Sequence, residues 1–236
     1  MLPNLYDHFQ RSGNFGVISD THFGELDLRQ GLPYNRPCDD EVVAAINRVI
    51  GRDGTLLHLG DVGDISYIKR IRAKHKILVM GNHDSGASNY RRNITIIEIE
   101  KTIAPTKDEA LRHARKKFPD RILTIVEETL TTWEISADNN LFDEVYEGAV
   151  MLGEKLIASH EPIEGLTWCC NLHGHDHSHN KHPDADRYHY NFNIDARQSG
   201  EPVLLNRWLK EGRLSKIKTI HRSTIDKATV RAKNKK

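Results

Sequence analysis

The chain has few cysteines, no long apolar run and almost no net charge. Three of its 236 residues are cysteine, and 34 basic residues against 33 acidic ones give a formal net charge of +1. Three cysteines, two of them adjacent, do not make a disulfide framework, so we expect a reduced, cytoplasmic setting. No apolar run approaches the roughly 20 residues that a membrane helix needs, so no membrane partner is expected. The near-neutral charge balance gives no sign of a partner.

The composition is that of a soluble globular protein. An apolar fraction of 38% and a charged fraction of 28% are ordinary values for a folded domain. The length favours one domain, and we place it at residues 1–212. Residues 213–236 carry nine basic residues against one acid, Asp226. We interpret them as a solvated basic tail, with contact to an anionic partner as the alternative.

The first third of the sequence alternates between predicted strands and helices. Short apolar runs predict buried strands at residues 15–19, 55–59 and 77–80. Asp39 or Asp40 can cap a helix after the first strand, and Asp64 can cap one after the second. This βαβαβ order predicts a parallel sheet, in which ligands bind at the carboxyl ends of the strands. Each run ends in polar residues that can bind a metal.

The middle of the chain is harder to interpret. Residues 94–99 are a candidate strand, and Thr106 to Lys117 has the pattern of a capped basic helix. The segment from Ile122 to Ile135 is rich in Thr, Val and Ile and fits either a helix or a strand. Gly153 predicts a hairpin between two short apolar runs. We interpret the basic helix as a solvated face, with a substrate-facing lid as the alternative.

Metal-capable residues recur in five short blocks. In chain order they are Asp20-Thr21-His22, Gly60-Asp61, Gly81-Asn82-His83-Asp84, Ser159-His160 and Gly174-His175-Asp176-His177. Oxygens of Asp and Asn mixed with imidazole nitrogens suit Mn, Fe, Co, Ni or Zn better than Ca. Without cysteine, the set does not resemble a zinc finger. The glycines let the backbone turn sharply and come close to an ion.

These blocks resemble the D-x-H, G-D, G-N-H-D, S-H and G-H-x-H blocks of calcineurin-like metallophosphoesterases. All are present in the family order and together span residues 20–177. The resemblance implies an α/β fold, in detail a four-layer α/β/β/α sandwich. Residues 1–212 would then form a single metallophosphoesterase domain, in which the segment 85–148 is a variable lid or insert that sets substrate choice.

The resemblance also implies the roles of individual residues. One ion would be held by Asp20, His22, Asp61 and His177, and a second by Asp61, Asn82, His160 and His175. Both would be divalent, with Mn²⁺ first and Fe, Ni, Co or Zn as alternatives. His83 would lie beside the scissile phosphate as a catalytic residue, held by Asp84.

The implied function is hydrolysis of phosphomonoesters, phosphodiesters or both by a hydroxide that bridges the two ions. His83 would protonate the leaving group or stabilise the phosphate oxygens. A nuclease that uses the basic tail on nucleic acid is one alternative, and a non-catalytic metal-binding scaffold is the other. The sequence leaves the natural substrate, the native metal and the oligomeric state open.

Further polar residues near the blocks have less specific interpretations. Arg36 can contact a phosphate or serve the loop in which it lies. Asn193 and Asp195 are interpreted as structural residues that hydrogen-bond near the site. His173 lies beside the last block, where it can support a ligand without binding the metal itself.

Overall fold

A computed structural model describes residues 2–25, 34–84, 95–117, 122–129, 132–178 and 186–218. The chain forms two compact units, one made of Met1–Ser85 with Glu144–Lys236 and the other of Gly86–Asp143. All the predicted site residues belong to the larger unit. Most of the predicted basic tail, from residue 219 onward, lies outside the described residues.

The described ranges contain strands, α-helices and a 3-10 helix. The strands are β1 (Phe15–Ile18), β2 (Thr55–His58), β3 (His75–Val79), β4 (Thr95–Ile103), β5 (Ile122–Thr129), β6 (Thr132–Asn140), β7 (Glu144–Tyr146), β8 (Val150–Gly153), β9 (Leu156–Ala158), β10 (Cys170–His173), β11 (His189–Asn191) and β12 (Val203–Leu204). The α-helices are α1 (Tyr6–Arg11), α2 (Asp39–Ile50), α3 (Lys107–Lys117) and α4 (Leu205–Lys210), and a 3-10 helix covers Ile65–Arg70. None of the described helices is long and apolar enough to cross a membrane.

The three apolar runs near the start of the chain form neighbouring parallel strands, as predicted. β1 pairs with β2 and β2 with β3, so that Val17, Leu57 and Ile77 lie side by side. β7 extends this sheet beyond β3 in the parallel sense, and β12 closes the other side in the antiparallel sense. The carboxyl ends of β1, β2 and β3 therefore meet at one edge, where the sequence places metal-capable residues.

A second sheet has the strand order β11-β10-β9-β8. β9, β10 and β11 are parallel, and β8 forms with β9 the antiparallel hairpin predicted around Gly153. One continuous apolar core contains residues of both sheets, among them Phe15, Leu172 and Phe192, each with no exposed surface. Full burial of such a side chain contributes about 1.5–3 kcal/mol. The α/β class is confirmed, whereas the four-layer order stays a prediction.

Helix α2 lies against the first sheet where Gly16 leaves room for it. A Cβ atom at Gly16 would lie 2.7 Å from the side chain of Ile50, the last residue of the helix. The N-cap is Cys38, whose backbone N–H donates to the Glu41 carboxylate at 2.8 Å. The predicted cap at Asp39 or Asp40 is therefore wrong by one or two residues. Asp64 does act as a cap, accepting a hydrogen bond from the Ser66 N–H, but the helix after it is of the 3-10 type.

The smaller unit contains a three-stranded antiparallel sheet of order β4-β6-β5. The segment from Ile122 to Ile135, ambiguous in the sequence, contributes to two strands, β5 and β6. The predicted basic helix is α3, which buries Ala110 and Ala114 and leaves its basic side chains exposed, as a solvated face requires. The role of residues 85–148 as a substrate-selecting lid stays a prediction.

Candidate metal centre

The predicted ligands follow the carboxyl ends of parallel strands in both sheets of the larger unit. Asp20 and His22 follow β1, Asp61 follows β2, Asn82 follows β3, His160 follows β9, and His175 and His177 follow β10. The two sheets share one core, so their strand ends lie close together. Asp20 and His177, for example, are 157 positions apart in the sequence, yet their side chains are in contact.

The backbone is strained at this edge. Five non-glycine residues of the described chain have a positive φ, and four of them are predicted ligands: Asp20, His22, Asp61 and His175, at 58°, 41°, 55° and 65°. Such a conformation costs of order 1–3 kcal/mol per residue and persists only where the surroundings enforce it. Strain of this kind clusters at functional sites, so its concentration here marks the region independently of the sequence motifs.

Two glycines allow the backbone to approach the carboxylates, as the sequence predicts. A Cβ atom at Gly174 would lie 2.2 Å from Asp20 Oδ2 and 2.0 Å from Ser19 Oγ. A Cβ atom at Gly81 would lie 2.2 Å from Asp61 Oδ1. Any side chain at either position would displace a candidate ligand.

Asp20, His22 and His177 form the first group of ligand atoms, all within 4.8 Å of one another. His177 Nε2 lies 3.3 Å from Asp20 Oδ1. The ring of His22 is buried, and its Nδ1 lies 3.0 Å from the Glu25 carboxylate. If Nδ1–H donates to Glu25, the lone pair of His22 Nε2 faces the group, and this buried nitrogen has no hydrogen-bond partner. A metal ion would satisfy it, so these residues fit a cation.

Asn82, His160 and His175 form the second group, together with Asp61. Asn82 Oδ1 lies 2.9 Å from His160 Nε2 and 3.0 Å from His175 Nδ1. His160 Nδ1 donates to the Leu59 carbonyl at 2.7 Å, which directs Nε2 toward the group. Converging oxygen and nitrogen lone pairs repel one another unless a proton or a cation lies between them. The neighbouring carboxylates favour a proton on His160. Burial lowers its pKa, but Asp61 and Asp20 outweigh burial and raise the pKa above its usual value.

Asp61 lies between the two groups. Its Oδ2 atom is 3.4 Å from His160 Nε2 and 3.6 Å from His22 Nε2, so one oxygen faces a histidine of each group. Its Oδ1 atom accepts the backbone N–H of His83 at 2.9 Å. Burial raises the pKa of Asp61, but the hydrogen bond from His160 and the nearby positive charges bring it down to about 2. This carboxylate is therefore ionised at neutral pH.

Asp84 ties together the loops that follow β2 and β3. Its Oδ2 accepts the N–H groups of Asp61 and Gly81, both at 2.8 Å, and its Oδ1 accepts that of Val62 at 3.1 Å. His83 is exposed, with its ring edge-on to that of His22 at a centroid distance of 5.1 Å. A hydrogen bond between the Asp84 carboxylate and the His83 imidazole stays a prediction. The hydrogen bonds from the backbone of both loops to Asp84 are present.

A buried network supports His177, and sequence reasoning only partly anticipated it. Asp195 Oδ2 lies 2.6 Å from His177 Nδ1, and the hydroxyl of Tyr34 donates to the other oxygen. Burial raises the pKa of Asp195, but the bonds from His177 and Tyr34 lower it overall. Burial lowers the pKa of His177, but the hydrogen bonds to Asp195 and Asp20 raise it to about 9. The sequence places Asp195 near the site but does not predict its pairing with His177.

Arg36 donates hydrogen bonds to its own loop region and to the Asp195 network. Its side chain is only 4% exposed. The guanidinium donates to Asp195 Oδ2 at 3.2 Å and to the carbonyls of Asp20 and Thr21 at 3.0 and 2.9 Å. It therefore holds the strained backbone of the first block in place. Of the two roles that the sequence left open, the structure favours the structural one.

His58 is a residue that sequence reasoning missed. It is fully buried at the end of β2, where burial outweighs the nearby carboxylates and lowers its pKa to about 4, so the imidazole is neutral. Its Nδ1 accepts the Gly60 N–H at 3.2 Å and its Nε2–H faces Thr21 Oγ1 at 3.0 Å. Thr21 Oγ1 in turn donates to the Val62 carbonyl at 3.0 Å. The sequence signal was a histidine inside an apolar strand directly before Gly60-Asp61.

Two further described histidines near the last block, His173 and His189, lie outside both groups. His173 is buried, and its Nδ1 donates to the Gly174 carbonyl at 2.9 Å. His189 pairs with Asp186 at 2.8 Å. His179 and His182 fall outside the described residues. The expected supporting role of His173 agrees with its position directly before the ligand loop.

Comparisons with known proteins show the family of the chain. A family model described as calcineurin-like phosphoesterase matches residues 13–217. A crystal structure from Aquifex aeolicus, of the protein of unknown function AQ665, is similar in fold, with a TM-score of 0.50 and 19% sequence identity over 84% of this chain and 98% of that one. No curated protein matches at a significant level. Because the family model covers most of the sequence, the chain belongs to the calcineurin-like phosphoesterase family, which indicates a metal-dependent hydrolase acting on phosphoester bonds.

Proposed function

We propose that the protein hydrolyses phosphomonoesters, phosphodiesters or both at a centre of two divalent metal ions. The proposed ligands of the first ion are Asp20, His22, Asp61 and His177, and those of the second are Asp61, Asn82, His160 and His175. The observation that carries the proposal is the position of Asp61 Oδ2, 3.6 Å from His22 Nε2 and 3.4 Å from His160 Nε2. A carboxylate in this position suits a ligand shared by two ions.

The donor set supports Mn²⁺ as the metal, with Fe, Co, Ni and Zn as alternatives. It combines two carboxylates and an amide oxygen with four imidazoles, a mixture that Ca²⁺ does not favour. When bound, the ions would supply a water activated near neutral pH and positive charge for the phosphate oxygens. Only two of the seven proposed ligands, Asp20 and Asp61, carry negative charge. The ligand set therefore leaves about half of the combined charge of two divalent ions available to an anionic substrate.

His83 is the proposed catalytic residue of the chain itself. Its backbone N–H is fixed on Asp61, and its exposed imidazole lies beside His22 at the edge of the metal groups. From there we expect it to protonate the leaving oxygen or donate to a phosphate oxygen in the transition state. We propose Asp84 as a positioning residue, because its carboxylate accepts the N–H of Gly81, in the turn that carries His83, and that of Asp61, in the neighbouring loop after β2.

The test is hydrolysis of para-nitrophenyl phosphate and bis-para-nitrophenyl phosphate by metal-stripped protein with and without added Mn²⁺. We expect turnover that depends on the metal and falls about 10²–10⁴-fold in His83→Ala. The matched control is His189→Ala, because His189 lies outside the metal groups. It should behave as the wild type.

Each outcome of this test has a clear meaning. Turnover of one compound and not the other establishes a monoesterase or a diesterase preference. Undiminished turnover in His83→Ala would remove the proposed role of this residue. Absence of turnover with Mn²⁺, Fe²⁺, Co²⁺, Ni²⁺ and Zn²⁺ on both compounds, despite two bound ions, would favour the scaffold alternative.

A further inference from the structure

A second cluster of histidines and a carboxylate lies at the opposite end of the first sheet. His75 is the first residue of β3, Glu144 is the first residue of β7, and His8 lies in α1. The five residues of β3 span roughly 16 Å, which separates His75 from the loop that carries Asn82. The three residues all belong to the larger unit, and none of them is part of the phosphoesterase motifs.

The ligand atoms of this cluster face one another. The Nε2 atoms of His8 and His75 lie 3.0 and 2.7 Å from the same oxygen, Glu144 Oε1. In a tetrahedral zinc site with bonds of about 2.0–2.1 Å, neighbouring donor atoms are about 3.3 Å apart. Outward movements of a few tenths of an ångström, combined with rotation of one ring, would therefore accommodate an ion. The side chains are 40%, 28% and 24% exposed for His8, His75 and Glu144, so water can reach a fourth position.

The carboxylate is held in a fixed orientation. The Tyr146 hydroxyl donates to Glu144 Oε2, which leaves Oε1 for the two imidazoles. Partners of this kind orient metal ligands and are common around metal sites. Burial raises the pKa of Glu144, but the hydrogen bonds from Tyr146 and His75 lower it overall, so the group is ionised at neutral pH.

We propose that His8, His75 and Glu144 bind a further divalent transition metal ion, for which Zn²⁺ is the best-suited probe. Two imidazoles and one carboxylate with an open fourth position form a donor set that zinc uses widely. The two rings are parallel to within 6° with centroids 4.9 Å apart. Because an imidazole binds a metal in its own plane, one ring must turn about χ2, which is a soft torsion for histidine.

Binding would attach the N-terminal helix to the sheet. Helix α1 has only six residues, and its N-cap residue, Leu5, makes no side-chain cap. A helix this short has little stability of its own and depends on tertiary contacts. An ion shared by His8 of α1, His75 of β3 and Glu144 of β7 would link the helix to two neighbouring strands. We therefore expect Zn²⁺ to stabilise the folded state as well as to bind it.

The alternative for this cluster is a hydrogen-bonded network without a metal. Both imidazoles can carry their proton on Nε2 and donate to Glu144 Oε1. His8→Gln distinguishes the two cases, because a glutamine amide retains an N–H donor for Glu144 and is a poor zinc ligand. His75→Gln provides a second, independent substitution in the strand.

The experiment is titration of the full chain with Zn²⁺ at pH 7.5 in competition with a chromophoric chelator. The proteins compared are the wild type, His8→Gln, His75→Gln and the control His189→Gln, each checked for native circular dichroism. We expect each cluster variant to bind one Zn²⁺ fewer per chain than the wild type, or to bind it at least tenfold more weakly. The control should match the wild type.

Thermal unfolding provides a second measurement. The Zn²⁺-dependent increase in Tm should be smaller in His8→Gln and His75→Gln than in the wild type and the control. Equal stoichiometry, affinity and Tm response in all four proteins would overturn the proposal. The result does not depend on the phosphoesterase centre, because all four proteins carry that centre unchanged. If His75→Gln does not fold, His8→Gln decides the question alone.

Discussion

The two ends of the parallel strands in the larger unit both carry histidines and carboxylates, but the two clusters are built differently. At the carboxyl end, Asp20, His22 and Asp61 lie in loops and have positive φ. At the amino end, His8 and Glu144 lie in a regular helix and a regular strand with ordinary backbone angles. Seven proposed ligands converge at the first end, and three at the second. Dense convergence requires sharp turns, whereas three long side chains reach one another from regular elements.

The strained end is also the more heavily supported one. The Asp84 carboxylate accepts three backbone N–H groups, and Arg36 donates to the carbonyls of Asp20 and Thr21. These bonds hold peptide groups that the loops would otherwise leave unpaired inside the protein. At the amino end, Tyr146 donates a hydrogen bond to the Glu144 carboxylate. We therefore expect substitutions that disturb the carboxyl end to have larger effects.

The largest effect is expected for Gly174→Ala, with Gly13→Ala as its control. A Cβ atom at Gly174 would lie 2.0 Å from Ser19 Oγ, whereas one at Gly13 has no neighbour within 4 Å. Overpacking of this kind costs about 1–3 kcal/mol and would displace the Asp20 carboxylate. Urea unfolding should show the loss of stability, and Mn²⁺ titration should show weaker binding, in Gly174→Ala alone. Equal stability and equal Mn²⁺ affinity of the two variants would mean that the loops at the carboxyl end can shift without loss of the site.

A smaller effect is expected for Asp195→Asn. The substitution keeps the shape of the side chain but removes the charge that holds His177 Nδ1 and Arg36. Loss of a group that orients a metal ligand typically lowers metal affinity by 10–100-fold. We expect weaker Mn²⁺ binding by calorimetry and restoration of turnover by excess Mn²⁺. A fall in turnover that excess metal does not restore would indicate that Asp195 acts in another way.

The smallest effect is expected at the amino end, where Glu144 makes stability depend on pH. Its pKa is lower in the folded protein than its usual value of 4.5. The stabilising effect is therefore present above about pH 4.5 and is lost as the pH falls through the folded-state pKa. In chelator-containing buffer, the unfolding free energies of wild type and Glu144→Gln should differ at pH 6 and converge as the pH falls below the folded-state pKa of Glu144. A constant difference across this range would show that charge plays no part.

The sequence predicted the first sheet and the convergence of the ligands because both depend on local patterns. The apolar runs that became β1, β2 and β3 are short and end in polar residues, so their position and direction follow from the sequence. The ambiguity of Ile122 to Ile135 had a physical cause, since Thr, Val and Ile suit a strand but their spacing also fits a helix. Pairing with neighbouring strands decided it in favour of β5 and β6.

Supporting residues were harder to predict than ligands. Tyr34 and His58 carry no motif, and their roles depend on partners that are distant in sequence: Asp195 for Tyr34, and Thr21 for His58. Arg36 had two open roles because a guanidinium can bind phosphate as well as carboxylate. Its burial against Asp195 and two carbonyls favours the structural role, and burial is a property of the folded chain.

The sequence by itself determined the family, the α/β class and the residues that converge at the carboxyl end, because ligands next to strand ends appear as short contiguous blocks. The tertiary structure alone decided which side chains support those ligands and brought together His8, His75 and Glu144. His75 follows His8 by 67 positions and Glu144 follows His75 by 69, and no local sequence pattern links them. Strand pairing and the packing of α1 determine their proximity, since each residue lies on a different element and the fold alone relates those elements.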